Sequence, residues 1–106
     1  MITDSIVSDV INTIVSGYEP EKIIIFGSCG KNEQTNDSDL DLLIVKETNE
    51  TYYMRPRVVR SLFSRQPCAM DILVYTPDEF EKRKYLLNNI VNIAFKTGKL
   101  VYERCN

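Results

Sequence analysis

At 106 residues the chain is long enough for one modest hydrophobic core and too short for two. Its formal charge is only −2 and it contains no histidine, which excludes Ser-His and Cys-His nucleophilic chemistry and leaves proton transfer to carboxylates, lysine or tyrosine. Three widely spaced cysteines (Cys29, Cys68 and Cys105) argue against a disulfide framework and a zinc site alike. The sequence shows no charged-then-apolar leader and no apolar run long enough to cross a bilayer, so the expectation is a cytoplasmic protein with no membrane contact.

In chain order, Ile2 to Val15 carries Ile6, Val7, Val10, Ile11, Ile14 and Val15 at helical spacing. Thr3, Asp4 and Ser5 are all suited to cap that helix, and Gly17 is the expected stop. Glu21 to Phe26 reads as a first strand that ends in Gly27-Ser28. Residues 30–38 form a polar, Asn-rich stretch expected to be a loop that closes over a ligand, with Asp37 and Ser38 shaping its turn. Leu40 to Val45 is a second strand, apolar enough to be buried on both faces. Thr51 to Ser64 reads as a helix interrupted or delayed at Pro56, and Met70 to Tyr75 as a third strand. Thr76-Pro77-Asp78-Glu79 carries a helix-start signature, with a cap, proline at the first position and glutamate three residues after the cap. Leu86 to Phe95 reads as a further apolar helix ending near Gly98, and Leu100 to Tyr102 as a short edge strand. The expected fold is α/β (α+β): a small mixed β-sheet of three to four strands flanked by helices, in a single domain over residues 1–106.

Chemistry concentrates where apolar runs meet polar residues. Asp39 and Asp41 are separated by one residue, so on an extended chain they project to one face and repel each other. Paired oxygen ligands of this kind suit Mg²⁺, which binds one or two carboxylates together with substrate phosphates. Gly27 and Ser28 follow a strand, where bare backbone N–H groups and a hydroxyl can hold phosphate. Asp71 opens the third strand, and if that strand lies beside the second, three carboxylates gather at one sheet edge. Such a site suits phosphoryl or nucleotidyl transfer with two metals.

Gly27-Ser28, ten intervening residues, Asp39-Leu40-Asp41 and the later Asp71 together resemble the minimal nucleotidyltransferase (MNT) family, small relatives of the polymerase-beta-like nucleotidyltransferases. The resemblance spans Ile23 to about Phe80 and implies a nucleotidyltransferase fold. It implies two Mg²⁺ ions on Asp39, Asp41 and Asp71 as metal-binding and catalytic residues, and nucleotide binding by Gly27, Ser28 and Lys31, with ATP as substrate. Family members often carry Arg-x-Arg just after the serine; here Cys29 and Lys31 stand there, and lysine offers a point charge rather than a bidentate fork. The resemblance also implies an antitoxin that adenylylates a tyrosine of a HEPN-type toxin within a hetero-oligomer. The rival from another class is an antitoxin that neutralises its partner by occlusion without turnover. Modification of a small molecule is disfavoured because no residues remain to build an acceptor pocket.

Two further features bear on partners. Residues 1–50 carry ten acidic and three basic side chains, residues 51–106 five acidic and ten basic. Arg55, Arg57, Arg60 and Arg65 cluster in the basic half, and a solvated helix face is the first reading of them. Basic and aromatic residues do not interleave as on an RNA-stacking surface, so nucleic acid is not the expected partner. Leu86, Leu87, Ile90, Val91, Ile93, Ala94 and Phe95 cover more than one helical stripe; core accounts for most such helices and partner contact for the rest.

Overall fold

The computed structural model describes residues 2–27 and 39–105. Helix α1 spans Asp4–Tyr18, and Thr3 caps it by accepting a hydrogen bond from the Ile6 amide at 3.2 Å. The helix does not stop at Gly17. It runs to Tyr18 and is terminated by Glu19, whose φ of 52° is left-handed, with Pro20 next to prevent continuation. Gly17 is helical, and the Leu62 side chain packs where a Cβ would stand.

Strands β1 (Lys22–Phe26), β2 (Leu40–Val45), β3 (Met70–Tyr75) and β4 (Lys99–Glu103) form a mixed sheet in the order β3-β2-β1-β4. β1 is antiparallel to both β2 and β4, and β2 is parallel to β3. Leu40, Leu42, Leu43, Ile44 and Val45 are all buried, as a continuous apolar strand in the middle of a covered sheet requires. The sheet is flanked by helices on both faces, which is the mixed α/β architecture expected.

Alternation along the strands divides the core in two. Ile23, Ile25, Leu42, Ile44, Ile72 and Val74 pack with Val10, Ile14 and Tyr18 of α1. Helix α2 (Arg55–Arg60) closes the same face through Val59. It is shorter than the Thr51–Ser64 helix the sequence suggests: Pro56 sits in its first turn, no side chain caps it, and the chain leaves helical geometry after Ser61.

On the opposite face Ile24, Phe26, Leu43, Val45 and Tyr75 pack beneath helices α3 (Pro77–Arg83) and α4 (Ile90–Thr97) through Phe80, Val91 and Ala94. The capping box at Thr76 is complete, with Thr76 Oγ1 accepting from the Glu79 amide and a Glu79 carboxylate oxygen accepting from the Thr76 amide. Leu86 and Leu87 do not begin the last helix. Asn88 adopts a left-handed φ of 62°, and the Asn89 side chain caps α4 by accepting from the Val91 amide, so the helix starts only at Ile90. Among the described residues no helix is long and apolar enough to cross a membrane.

Candidate active site

Parallel pairing of β2 and β3 sets Asp41 directly opposite Asp71. The same alternation that sends Leu40, Leu42 and Ile44 toward α1 turns Asp41 and Asp71 to the other face, at the end of the sheet away from Tyr75. Asp39 immediately precedes β2. Burial pushes the Asp41 carboxyl above the ordinary aspartate range, and the charges of Asp71 and then Asp39 push it further. Both neighbouring carboxylates thus act on Asp41, as two adjacent strands opening on aspartate would have them do. Asp71 and Asp39 are exposed, whereas Asp41 is half-buried.

The antiparallel pairing of β1 with β2 brings the glycine into the same group. Phe26 pairs with Asp41, and Gly27 follows it with φ +69°. A Cβ on Gly27 would stand 2.3 Å from Asp41 Oδ2 and 3.3 Å from its Cγ. The bare Cα of Gly27 is therefore packed against a carboxylate. From the sequence this glycine has only a phosphate-facing part; its partner lies fourteen positions away, and the pairing of β1 with β2 is what reveals it. Ser28 and Lys31, along with Cys29 and the stretch 30–38 expected to close over a ligand, lie outside the described residues.

The arginine cluster is not one solvated face. Arg55 is buried and spans the fold: its Nε donates to the Glu50 carbonyl at 2.9 Å, and one terminal nitrogen donates to the Val74 carbonyl at 3.2 Å and to Glu79 Oε1 at 2.7 Å. Arg60 donates to the Met70 carbonyl at 2.8 Å. These two arginines tie α2 to β3, while Arg57 and Arg65 are exposed. In the apolar stretch, Val91 and Ala94 are core, whereas Leu86, Leu87, Ile90, Ile93 and Phe95 are exposed. A cavity of about 160 Å³ lies on the carboxylate face between Phe80, Phe95 and Leu100, with Lys22 and Lys84 beside it; none of the three aspartates lines it.

Among the described residues no three His, Cys, Asp or Glu side chains converge into a ready metal cage. The carboxylates are grouped by the sheet without being closed around a point.

Residues 9–105 match the family model described as polymerase beta, nucleotidyltransferase. The chain belongs to that family. This nucleotidyltransferase domain is also similar to a crystal structure from Sulfolobus solfataricus of a protein provisionally named a nucleotidyltransferase, at 19% identity and a TM-score of 0.63. That likeness covers 92% of this chain and 78% of the other, and it concerns the fold. No curated protein matches the sequence.

Proposed function

We propose that this nucleotidyltransferase transfers AMP from Mg·ATP to a hydroxyl, a tyrosine, of a partner protein, as the antitoxin of a HEPN/MNT pair. The observation that carries the reading is the direct register of Asp41 with Asp71, with Asp39 close enough to raise the same carboxyl. Membership of the family supplies the reaction class.

The carboxylates suit divalent metal. Mg²⁺ keeps waters and substrate phosphates as ligands and needs only one or two protein carboxylates, so an open group fits it better than a closed cage. A half-buried aspartate under the repulsion of two others is the group a cation would relieve. Asp39, Asp41 and Asp71 would hold it; when bound, it supplies charge neutralisation for the triphosphate and acidifies the acceptor hydroxyl. Gly27, with Ser28 and Lys31 beyond it, would meet the phosphates.

In the reaction, the acceptor oxygen forms a bond to the α-phosphorus while the bond from that phosphorus to the α–β bridging oxygen breaks. Pyrophosphate leaves. The acceptor proton passes to Asp71, the exposed member of the strand pair, or to water. The exposed apolar side chains of residues 86–95 support a macromolecular acceptor, because such a patch is more readily explained by a protein surface than by solvent.

The test uses ATP labelled at the α-phosphate, Mg²⁺ and the protein encoded beside this chain. Label should appear on a tyrosine of that protein and fall by roughly 100-fold or more with Asp41→Asn. Tight binding with no label transferred, from ATP or any other nucleoside triphosphate, would replace transfer by occlusion.

A further inference from the structure

We infer that Gly27 is the positioning residue of the Asp41 carboxylate, a part it plays before any phosphate arrives. The inference rests on the metal-binding reading of Asp41 given above. Among the described residues three glycines have neighbours where a Cβ would stand, and they differ in what those neighbours are. At Gly17 it is the flexible end of Leu62, and at Gly98 it is the Ala94 and Ile25 carbonyls with Ile24. Only at Gly27 is it a carboxylate, with Asp41 Oδ2, Cγ and Cβ lying successively at 2.3, 3.3 and 3.7 Å from the place a Cβ would take. The Asp41 side chain therefore lies along the bare face of Gly27.

Two constraints meet at this residue. Its φ of +69° favours glycine through the backbone alone. Independently, a methyl group there must displace the Asp41 carboxylate, because 2.3 Å is far inside any non-bonded contact. The displaced carboxylate would leave the register that faces Asp71 across β2 and β3. The two constraints are separable by experiment, since the backbone cost persists without the carboxylate and the steric one does not.

Gly27→Ala, Asp41→Ala and the double variant are compared by urea unfolding, and Mn²⁺ binding to the intact chain is measured without nucleotide or partner by electron paramagnetic resonance. Gly27→Ala should shift the unfolding midpoint at least twice as far in the wild-type background as in the Asp41→Ala background. It should also weaken Mn²⁺ binding by about ten-fold or more. Gly98→Ala serves as a control that lowers stability and leaves Mn²⁺ affinity of the folded protein unchanged. Unchanged Mn²⁺ affinity in Gly27→Ala overturns the inference. If the wild-type chain binds no Mn²⁺, the metal reading fails on its own, and equal midpoint shifts in the two backgrounds then overturn the positioning of Asp41. Should Gly27→Ala not fold, restored folding in the double variant supports the inference, and continued failure overturns it.

Discussion

The two faces of the sheet are made by alternate residues of the same strands, yet one is sealed and the other is divided. Toward α1, Leu40, Leu42 and Ile44 of β2 are fully buried among aliphatic neighbours from end to end. On the other face, Val45 and Leu43 lie under α3 and α4, while Asp41, the next residue of that series, emerges beside Asp71 and Gly27. A continuous apolar strand can thus carry a reactive group only where its covering helices end, and the sealed face supplies the rigidity on which that group is held. A charge pair links the two faces at the covered end, where Arg55 of α2 meets Glu79 of α3.

Breaking the sealed face should have the largest effect on stability. Leu42→Ala removes a side chain with no exposure and should cost about 2–5 kcal/mol, read as a fall in the urea midpoint. At the covered end of the other face, Glu79→Gln should cost about 1–2 kcal/mol, because the buried Arg55 loses its ionic partner but keeps the Val74 and Glu50 carbonyls and can still donate to the amide oxygen. That cost depends on pH. Hydrogen bonding from Arg55, then from the Thr76 amide, holds the Glu79 carboxyl below its ordinary value of 4.5. A carboxyl lowered by folding contributes stability that is complete above its unfolded pKa and disappears as pH falls through the folded one. Wild type and Glu79→Gln should therefore differ at pH 7 and converge as the pH falls below that ordinary value and through the lowered one. A difference that persists undiminished at acid pH would mean that shape, rather than charge, joins α2 to α3.

How much of this was legible in the sequence follows from the range of each interaction. β2 and β3 begin and end where their apolar runs do, and the Thr76 capping box is local in sequence and geometry alike. The pairing of Asp41 with Asp71 was conditional on two strands lying side by side, a condition that the β2–β3 register meets. The misses involve residues whose conformation is decided from elsewhere. Gly17 remains helical with Leu62 packed on it, and the stop falls on Glu19, which has no intrinsic preference for left-handed backbone. Leu86 and Leu87 continue an apolar pattern, but Asn88 and Asn89 spend their side chains and backbone on starting a new helix. Arg55 reads as one of four surface cations until the fold brings Glu79 and two carbonyls to it. The contact between Gly27 and Asp41 needs the antiparallel pairing of β1 with β2.

The smallest expected effect sharpens the comparison most, because it opposes the usual sign. Asp41→Asn preserves the shape of the side chain and removes a charge that Asp71 and Asp39 repel, on a group that burial already disfavours in its ionised form. In buffer stripped of divalent ions the variant should melt at the same temperature as wild type or slightly above it, whereas Glu79→Gln melts lower. The two carboxylates differ in their neighbours: Glu79 of α3 is satisfied by an arginine, and Asp41 of β2 is faced by two other aspartates. Adding Mg²⁺ should raise the midpoint of wild type more than that of Asp41→Asn, since a ligand stabilises only the state that binds it. Equal responses of the two proteins to Mg²⁺, measured by scanning fluorimetry across a metal titration, would remove Asp41 from the ion's ligands. A marked loss of stability in metal-free Asp41→Asn would show instead that its charge is satisfied within the fold, and that the open end of this face is built for structure.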